Sequence, residues 1–395
     1  MGGIVALAIG YVLSQFYRSF LAVLTPALTT ELAMTKAQLS QASGIWFVAF
    51  ALAQFVVGVA LDRFGPRRTA ALFVGIGAAG GAFLFAFAMA PWMVIAAMAL
   101  IGIGCAPVLM SSLFIFAKTV SPARFAILSS WMVAFGTAGN VIGAAPLAEA
   151  AEAFGWRPVM VCLGLLTLLT AVGIAVFVRD PKMTHGASVG FSGYLELLRM
   201  KVLWPIIPLT ALNYAPATGI RGLWAGPYLT DVHGADSVMI GEVTLFMALA
   251  MVAGAFLYGP LDTFFRTRKW VAFSGNMIGL SAVLYLSCNV VADITTTTIV
   301  FVVIGLFGGA YGLLMAHARA FVPAHLLGRG VTLMNFFSIG GVGVMQFATG
   351  GVVTAYADPG NPAAAYEALF TFYALTLAVA LLIYLASKDA RPEVP

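Results

Sequence analysis

Charged side chains are scarce in this chain of 395 residues, where Asp, Glu, Lys and Arg make up 9% and hydrophobic residues 62%. Soluble domains carry roughly 25% charged residues, so the composition excludes an ordinary soluble domain. The apolar residues form about twelve runs, each near the ~20 residues that cross the core of a bilayer. The sequence therefore predicts an all-α membrane protein with twelve transmembrane helices.

Cysteine and histidine are also rare, with three and four residues respectively. Cys105, Cys162 and Cys288 lie in different apolar runs, too far apart for a disulfide framework or a metal-ligand spacing. The sequence has no nucleotide-binding loop, no Ser/His/Asp arrangement and no metal cluster at a standard spacing. We therefore do not expect an enzyme, and we expect neither a cofactor nor a bound metal.

The predicted spans fall into two halves. They lie at 4–30, 39–61, 68–90, 92–117, 125–150, 157–178, 202–229, 237–261, 270–292, 296–321, 331–356 and 364–386. A polar interval at 180–201 separates an N-terminal bundle, 1–179, from a C-terminal bundle, 202–395. Related segments follow the second span of each half, Gly58 to Arg68 and Gly259 to Lys269. This recurrence predicts two six-helix bundles with pseudo-two-fold symmetry.

Basic residues are concentrated in alternate loops between the spans. One set of loops holds Arg63, Arg67, Arg68, Lys118, Arg124, Arg179, Lys182, Arg199, Lys201, Arg266, Arg268, Lys269, Arg329, Lys388 and Arg391, and the opposite set holds only Lys36 and Arg157. By the positive-inside rule the first set is cytoplasmic. We expect both termini in the cytoplasm and the protein in the inner membrane. The net charge of +5 thus reflects orientation, and we expect no nucleic-acid partner.

Arg18 lies in the middle of the first apolar run with no acidic residue within helical reach. The acidic residues that precede residue 180 are Glu31, Asp62, Glu149 and Glu152, all at predicted helix ends or in loops. A cation placed inside a membrane marks a functional site by default. Arg18 is therefore a candidate to bind an anionic solute, and the alternatives are a partner on the other bundle or a snorkelling side chain.

Arg221 occupies the matching place in the seventh span. If both arginines line one cavity, electrostatics favours a dianion or a phosphate-like group. The alternative is that Arg221 lies near the outer surface, facing headgroups or Glu242. Its span is rich in Gly and Pro, which predicts a broken helix that lines a cavity.

Other polar residues near the two arginines are candidates to contact the solute. Tyr11, Gln15 and Arg18 are spaced to share one helix face. The remaining candidates are Tyr17, Trp131, Asn213 and Tyr214. Each of them could instead be a hydrogen-bonding residue between helices.

Two titratable residues are candidates to couple transport to a proton. His317 lies near the cytoplasmic end of the tenth span and has a suitable pKa range, but it could equally cap a helix or meet a loop. Glu242 lies early in the eighth span, where it could be a rim residue paired with Arg221. On the same span, Met247 and Met251 are one turn apart and could bind Cu(I) through their thioethers, or could simply pack.

The segment Gly58 to Arg68 resembles the loop signature of the major facilitator superfamily. The resemblance implies transport by alternating access, with a cytoplasmic latch formed by Asp62, Arg63, Gly65, Arg67 and Arg68 and, in the second copy, Asp262. Pro66 stands where the family usually has a basic residue. The residues around Arg18 resemble the organic-anion and organophosphate branches, in which a first-helix arginine grips carboxylate or phosphate. The fourth span lacks the carboxylate common in proton-coupled importers of organic acids.

The sequence thus predicts a monomeric secondary transporter that moves a small organic anion, carboxylate or phosphate-like, across the bilayer. Exchange against a counter-anion, a co-transported proton or the solute gradient itself could drive it. An efflux pump for lipophilic drugs or metabolites is one alternative, and it would not need Arg18. A Cu(I) importer is another, and it would need Met247, Met251 or His317.

Overall fold

The computed structural model describes residues 2–119, 122–181, 192–323 and 326–391, and all regular structure in these residues is helical. The first nine helices are α1 Gly2–Phe16, α2 Leu21–Leu32, α3 Lys36–Leu72, α4 Gly80–Ala86, α5 Pro91–Cys105, α6 Pro107–Thr119, α7 Pro122–Ile142, α8 Ala145–Phe154 and α9 Trp156–Phe177. A π-helical stretch, Phe73–Ala79, joins α3 to α4.

The later helices are α10 Ser192–Arg199, α11 Ile207–Leu212, α12 Ala215–Gly219, α13 Ala225–His233, α14 Ser237–Phe265, α15 Arg268–Cys288, α16 Ile294–Phe307, α17 Tyr311–Arg319, α18 Leu327–Ala355 and α19 Ala363–Tyr384. A second π-helical stretch, Ile220–Trp224, lies between α12 and α13.

The chain divides into two compact units. The first is Met1–Val189 with Asp236–Gly241, and the second is Gly190–Ala235 with Glu242–Pro395. The division falls inside the interval 180–201 that we expected to be a loop. Part of that interval is helical, because α10 lies within it, and residues 182–191 lie outside the described part of the chain.

The predicted spans correspond to the helices. Among the described residues, nine helices are long and apolar enough to cross a membrane, and two bent pairs raise the number to eleven. The pairs are α1 with α2, bent by 54°, and Trp131–Ile142 with α8, bent by 42°. The seventh predicted span is built from α11, α12, the second π-helical stretch and α13. The protein is therefore an all-α membrane protein, as predicted.

The first span breaks at residues 17–20, and its backbone hydrogen bonds show how. The amides of Arg18 and Ser19 bond to carbonyls three residues back, on Gln15 and Phe16, at 3.3 and 3.0 Å. Such 3₁₀-type bonds tighten the helix and often mark a hinge. Pro26 lies inside α2 and lacks a backbone donor. This break sets Arg18 outside regular helix.

The seventh span is interrupted for a related reason. Pro208, Pro216 and Pro227 each fall at or near the start of a short helical piece. Proline is tolerated in the first turn of a helix and breaks an interior, because it has no backbone N–H. The expectation of a broken seventh helix is confirmed in this respect.

The segment 62–67, expected as a loop between two spans, is almost wholly helical. Only Gly65 departs from helical geometry, with φ +79° and ψ 164°. A positive φ suits glycine because it has no Cβ. Pro66 then begins the next helical stretch, which is the position where proline is best accommodated.

Close packing of α1 against α7 depends on a second glycine. A Cβ added at Gly139 would collide with the carbonyl oxygen of Val12 and with the backbone nitrogen of Phe16. The ring of Tyr11 similarly fills the space beside Gly136. These small residues let the two backbones approach closely, as they do at many membrane helix contacts.

Candidate functional site

Arg18 lies in the bend between α1 and α2 and faces α3. Its guanidinium carbon is 4.9 Å from the ring centroid of Phe50 and 5.4 Å from that of Trp46. The two rings stack with centroids 5.2 Å apart, and both are buried. Cation–π attraction at a desolvated site contributes on the order of 2 kcal/mol, so the rings offset part of the cost of placing a cation here.

The hydrogen-bonding capacity of Arg18 is not used up by these rings. Its Nε is buried and has no acceptor among the residues that the structure describes. Across the same residues, the ion pairs found do not include Arg18. Because a guanidinium cannot lose its proton in a protein, the remaining way to satisfy it is an external anion or water. The isolation inferred from the sequence is thus also a feature of the structure.

Two predicted neighbours of Arg18 form a pair on α1. The Nε2 of Gln15 donates to the hydroxyl of Tyr11 at 3.1 Å, and the Oε1 of Gln15 has no donor within the described residues. Both side chains are buried. Tyr11 and Gln15 therefore share a helix face as predicted, whereas Arg18 lies beyond the end of α1.

Tyr17 lies in the core of the first unit. Its side chain is fully buried, and its hydroxyl is 2.9 Å from the Oγ1 of Thr167 on α9. Its ring packs edge-on against Phe16 and Phe20. A hydroxyl already paired within the protein has little capacity for a solute. This position favours a packing role for Tyr17, and its contact with the solute stays a prediction.

The α3 side of this site was not anticipated from the sequence. Trp46, Phe50 and Gln54 are spaced four residues apart, so they form one stripe on the helix. The Nε2 of Gln54 donates to the carbonyl oxygen of Ala106 at 3.2 Å. The stripe therefore faces the junction of α5 and α6. Its signal in the sequence was the four-residue spacing of two aromatic residues and a glutamine inside an apolar span.

Arg221 lies in the second unit, within the π-helical stretch between α12 and α13. It is only 2% exposed, and it has at least one interaction with another group of the protein. Nearby, the indole Nε1 of Trp224 donates to the Oγ1 of Thr349 on α18 at 3.0 Å. The hydroxyl of Tyr373 on α19 fills the space beside Gly219. Arg221 is thus a buried cation on a stretch whose neighbouring residues pack against α18 and α19.

The other candidates of the seventh span differ in how fully they are satisfied. Asn213 is buried and donates to the carbonyls of Leu209 and Thr210, both at 3.1 Å. Its Oδ1 has no donor among the described residues. Tyr214 packs against Tyr311, with ring centroids 6.5 Å apart.

Trp131 and Glu242 are exposed within their units. The side chain of Trp131 on α7 is 64% exposed, and Glu242 is exposed near the start of α14. No contact described for either residue connects it to Arg18. Their predicted roles in solute binding and proton coupling stay predictions.

His317 lies in a polar cluster that joins α17 to the end of the chain. The histidine is buried, with Nδ1 2.7 Å from the hydroxyl of Tyr384 and Nε2 2.8 Å from the carbonyl oxygen of Lys388. Both ring nitrogens therefore have protein partners. This arrangement favours the loop-contacting alternative for His317, and coupling through it stays a prediction.

Met247 and Met251 both face α16. A Cβ added at Gly305 would lie 3.2 Å from the Cγ of Met247 and 3.3 Å from that of Met251. No group of three His, Cys, Asp or Glu residues suited to a metal is found among the described residues. Packing against the small surface of Gly305 explains both methionines.

The signature segment is held by contacts within its own unit. The backbone N–H of Arg67 donates to Oδ1 of Asp180 at 2.8 Å, and its Nε donates to the carbonyl oxygen of Ala175 at 2.5 Å. A Cβ at Gly65 would lie 2.7 Å from the Asp180 carboxylate. Asp180 therefore accepts from the start of the helix that Pro66 begins.

The other signature residues make few contacts. Arg63 is exposed and lies over the ring of Phe64 at 5.4 Å, and Arg68 is exposed. The side chain of Asp62 is outside the described part of the structure. Their role as a latch between the bundles stays a prediction.

The second unit repeats the arrangement around Asp180. Arg266 has φ +55°, as Gly65 has a positive φ in the first unit. The N–H of Lys269 donates to Oδ1 of Asp389 at 3.0 Å, and its Nζ donates to the carbonyl of Leu385 at 2.6 Å. The hydroxyl of Thr267 adds a bond to Oδ2 of Asp389 at 2.7 Å. Each unit thus joins the start of its third span to the segment after its sixth.

Asp262, the counterpart of Asp62, is buried and paired. Its Oδ2 is 3.2 Å from the Nε of Arg268, whose Nη1 donates to the carbonyl oxygen of Ala316 on α17 at 3.2 Å. The hydroxyl of Thr263 donates to Oδ1 of Asp262 at 3.2 Å. These bonds connect the end of α14 to α15 and α17.

Solved structures with a similar fold are transporters. A bacterial homologue of the human lysosomal transporter Spinster, inward-facing and occupied, has a TM-score of 0.78 at 18% identity, over 97% of this chain and 95% of that chain. The nucleoside transporter NupG gives 0.76 at 14%, over 98% and 100%. A D-xylose-proton symporter gives 0.73 at 13%, over 95% and 96%. At these identities the likeness shows the fold alone.

The sequence comparisons give the family. A search of curated proteins found no match. The model of the Major Facilitator Superfamily matches residues 7–220, which is more than half of the chain and includes the bend at Arg18, the signature segment and α12. Together with the two helical units and the equivalent hydrogen bonds to Asp180 and Asp389, this match shows that the chain belongs to the major facilitator superfamily of transporters.

Proposed function

We propose that this transporter moves a small organic anion, carboxylate or phosphate-like, and that Arg18 binds it. The observation that carries the proposal is the buried Nε of Arg18, which has no acceptor among the described residues. A planar guanidinium can bind a carboxylate or phosphate through two parallel hydrogen bonds. An anion at this position would neutralise the cation and complete its hydrogen bonding in one step.

The aromatic surroundings of Arg18 support an anion over an apolar solute. The rings of Trp46 and Phe50 lie against the guanidinium and give it apolar surroundings on the side of α3. Apolar surroundings lower the local dielectric constant, which strengthens the attraction between the guanidinium and an anion. An efflux pump for lipophilic solutes would gain little from a cation in its cavity.

For the energy source, we propose exchange of one anion against another. A guanidinium does not lose its proton in proteins, so a solute that leaves an arginine takes no proton from it. No carboxylate is found next to it in the described residues, and His317 has partners on both ring nitrogens. A counter-anion that takes the place of the solute on Arg18 would keep the cation satisfied while the site changes sides. A proton linked through Glu242 is the alternative.

The rest of the transport cycle follows the family. We propose a monomer in the inner membrane with both termini in the cytoplasm, which is where the basic loops place them. The site would open alternately to each side. Asp62, Arg63, Gly65, Arg67, Arg68 and Asp262 would close the cytoplasmic side, with Arg221, Gln15, Tyr11, Asn213, Tyr214 and Trp131 as further candidates to contact the solute.

A thermal-shift screen of the purified protein tests the anion assignment. The probes are short carboxylates, phosphate monoesters, neutral sugars, lipophilic cations and Cu(I). A ligand at about 100 times its Kd stabilises the folded state by roughly 2.7 kcal/mol. We expect this shift for one class of anion and its loss in Arg18→Gln. In Arg18→Lys the affinity for the anion should fall tenfold or more, because lysine keeps the charge but lacks the planar guanidinium that forms two parallel hydrogen bonds.

The matched control is Arg199→Gln, which removes an exposed arginine on α10 and should bind the anion as the unmodified protein does. Stabilisation by lipophilic cations or Cu(I) that persists in Arg18→Gln would instead favour the efflux or copper alternatives. Equal anion binding by the unmodified protein and Arg18→Gln would refute the proposal.

A further inference from the structure

Two buried polar atoms on the α3 stripe lack partners among the described residues. The indole Nε1 of Trp46 has no acceptor, and the Oε1 of Gln54 has no donor, among the residues that the structure describes. Trp46 is 0% exposed and Gln54 is 5% exposed. Most buried polar groups in proteins have a partner, and each exception requires an explanation. Here the two exceptions lie on the stripe of α3 that also carries the aromatic contacts of Arg18.

The geometry of the stripe relates these atoms to the cation. Arg18 lies over the rings of both Trp46 and Phe50, so the indole N–H belongs to a ring that the guanidinium already contacts. Gln54 is one further turn along the helix, which places it about 6 Å from the level of Phe50. A small solute bound at Arg18 can therefore reach both residues.

The orientation of the Gln54 amide is set by its other contact. Its Nε2 donates to the carbonyl oxygen of Ala106 at 3.2 Å, and a carbonyl can only accept. The amide nitrogen is therefore the end that faces Ala106, and the oxygen is the end left without a partner. Gln54 thus offers an acceptor, whereas Arg18 and Trp46 offer donors.

We propose that the solute is a short hydroxylated anion, such as a hydroxy acid or a glycerol-type phosphate ester. This inference rests on the proposed function of Arg18 as the anion-binding residue. The acidic group of the solute accepts from the guanidinium and from the Trp46 indole. A hydroxyl about one helical turn away donates to Oε1 of Gln54.

The same arrangement disfavours two related solutes. A zwitterionic amino acid could donate from its ammonium group, but that cation would then lie within about 6 Å of Arg18 and be repelled by it. A simple fatty acid of the same length would leave the oxygen of Gln54 unpaired. A site built to bond a hydroxyl rejects the analogue that lacks it far more strongly than an apolar pocket rejects a missing methylene.

Matched ligand pairs test the inference on the unmodified protein. We would compare lactate with propionate, 4-hydroxybutyrate with butyrate, and glycerol 3-phosphate with propyl phosphate, and include alanine as the zwitterion, measuring affinities by thermal shift. The hydroxylated member of at least one pair should bind tenfold or more tightly than its deoxy partner. Alanine should bind no better than propionate.

Three variants then locate the selectivity. Gln54→Met removes the acceptor but keeps a long unbranched side chain, and it should reduce the hydroxyl preference to less than threefold while retaining anion binding. Trp46→Phe removes the indole N–H and should weaken both members of a pair by a similar factor. The control, Thr170→Val, removes a buried hydroxyl on α9 that bonds only to Leu166 of its own helix, and it should change neither quantity.

The outcomes separate this inference from the proposed function. If no anion binds, or if binding survives Arg18→Gln, the proposed function fails. If anions bind through Arg18 but deoxy and hydroxylated partners bind equally, only the hydroxyl inference fails. It also fails if the preference is unchanged in Gln54→Met, and the ligand pairs test it even where that variant does not fold.

Discussion

Replacing Arg18 by methionine should leave the ligand-free fold at least as stable as it is now, while abolishing anion binding. Removing an arginine that stabilises the fold through its contacts lowers the stability of the protein. An arginine kept for a ligand carries its desolvation cost in the absence of that ligand, so removing it relieves the cost. Methionine is the informative replacement, because it keeps a flexible apolar stem that can pack on the rings of Trp46 and Phe50.

The magnitude follows from the contacts of the side chain. A buried donor left unpaired costs about 1–3 kcal/mol, and for Arg18 that donor is Nε. Cation–π attraction to the two rings offsets about 0.5–2 kcal/mol of this cost. The midpoints of the two ranges leave a gain of about 0.8 kcal/mol for Arg18→Met, which corresponds to roughly 2–3 °C in thermal midpoint for a unit of this size.

Arg157→Met is the matched control, because Arg157 lies in the same unit and its donors are satisfied. Its Nη1 donates to the carbonyls of Ala86 and Ala88 at 3.0 and 2.8 Å, its Nε is 3.5 Å from a carboxylate oxygen of Glu31, and it lies over the Trp156 ring at 4.3 Å. Charge-assisted bonds contribute about 1.5–3 kcal/mol when buried and less when half-exposed. Its loss should cost about 2–4 kcal/mol.

The assay is the thermal midpoint of both variants in one detergent without added anion. Arg18→Met should melt at or above the unmodified protein, and Arg157→Met clearly below it. If Arg18→Met melts as low as Arg157→Met, Arg18 is a structural residue and the reasoning is refuted.

Two further predictions concern the hydrogen bonds that Asp180 and Asp389 accept at the start of the third span of each unit. Gly65→Ala should lower the thermal midpoint by the equivalent of about 1–3 kcal/mol, because φ is +79° and the new Cβ would lie 2.7 Å from the Asp180 carboxylate. The control is Gly58→Ala, because nothing lies within 4 Å of a Cβ added at Gly58. Equal thermal midpoints for the two variants would contradict the argument. Burial acts to raise the pKa of Asp389, but the hydrogen bonds it accepts at the start of α15 outweigh burial and hold that pKa below its ordinary value. A carboxylate whose pKa is lower in the folded state stabilises the protein at pH values above its pKa in the unfolded state. This stabilisation is lost as the pH falls through its pKa in the folded state. Asp389→Asn should therefore have a lower thermal midpoint than the unmodified protein near about pH 6, and the difference should disappear below the pH range in which aspartates titrate. A difference in thermal midpoint that does not depend on pH would contradict this prediction.

The fold was predictable from the sequence because the bilayer restricts the choices so strongly. Apolar length predicts helices, since a lipid-exposed backbone must satisfy its own hydrogen bonds, and the twelve predicted spans correspond to the helices found. The breaks were less predictable. Gly and Pro indicated the interruption of the seventh span, but the bend at residues 17–20 has no proline within it and arises from a change in hydrogen-bond register.

The candidate site was predicted in part. A lone cation inside an apolar run is visible in a sequence, so Arg18 could be singled out from the residues alone. Its partners could not, because which face of α3 meets the bend depends on how the helices pack. Trp46 and Gln54 were therefore missed, and Tyr17, next to Arg18 in sequence, faces Thr167 on α9 instead.

The two units share the hydrogen bonds to Asp180 and Asp389, but Arg18 and Arg221 have different surroundings. This difference affects which arginine determines specificity for the solute. Asp180 and Asp389 accept from equivalent positions, so both units have the same arrangement at the start of the third span. Arg18 lies at a helix break and is half-buried, with the rings of Trp46 and Phe50 beside it, whereas Arg221 lies in a π-helical stretch, is 2% exposed and already interacts with another group of the protein. An anion can reach a half-buried cation without displacing close-packed side chains, which a fully buried cation would require. Recognition of the acidic group should therefore depend more on Arg18 than on Arg221, even if both line the path of the solute.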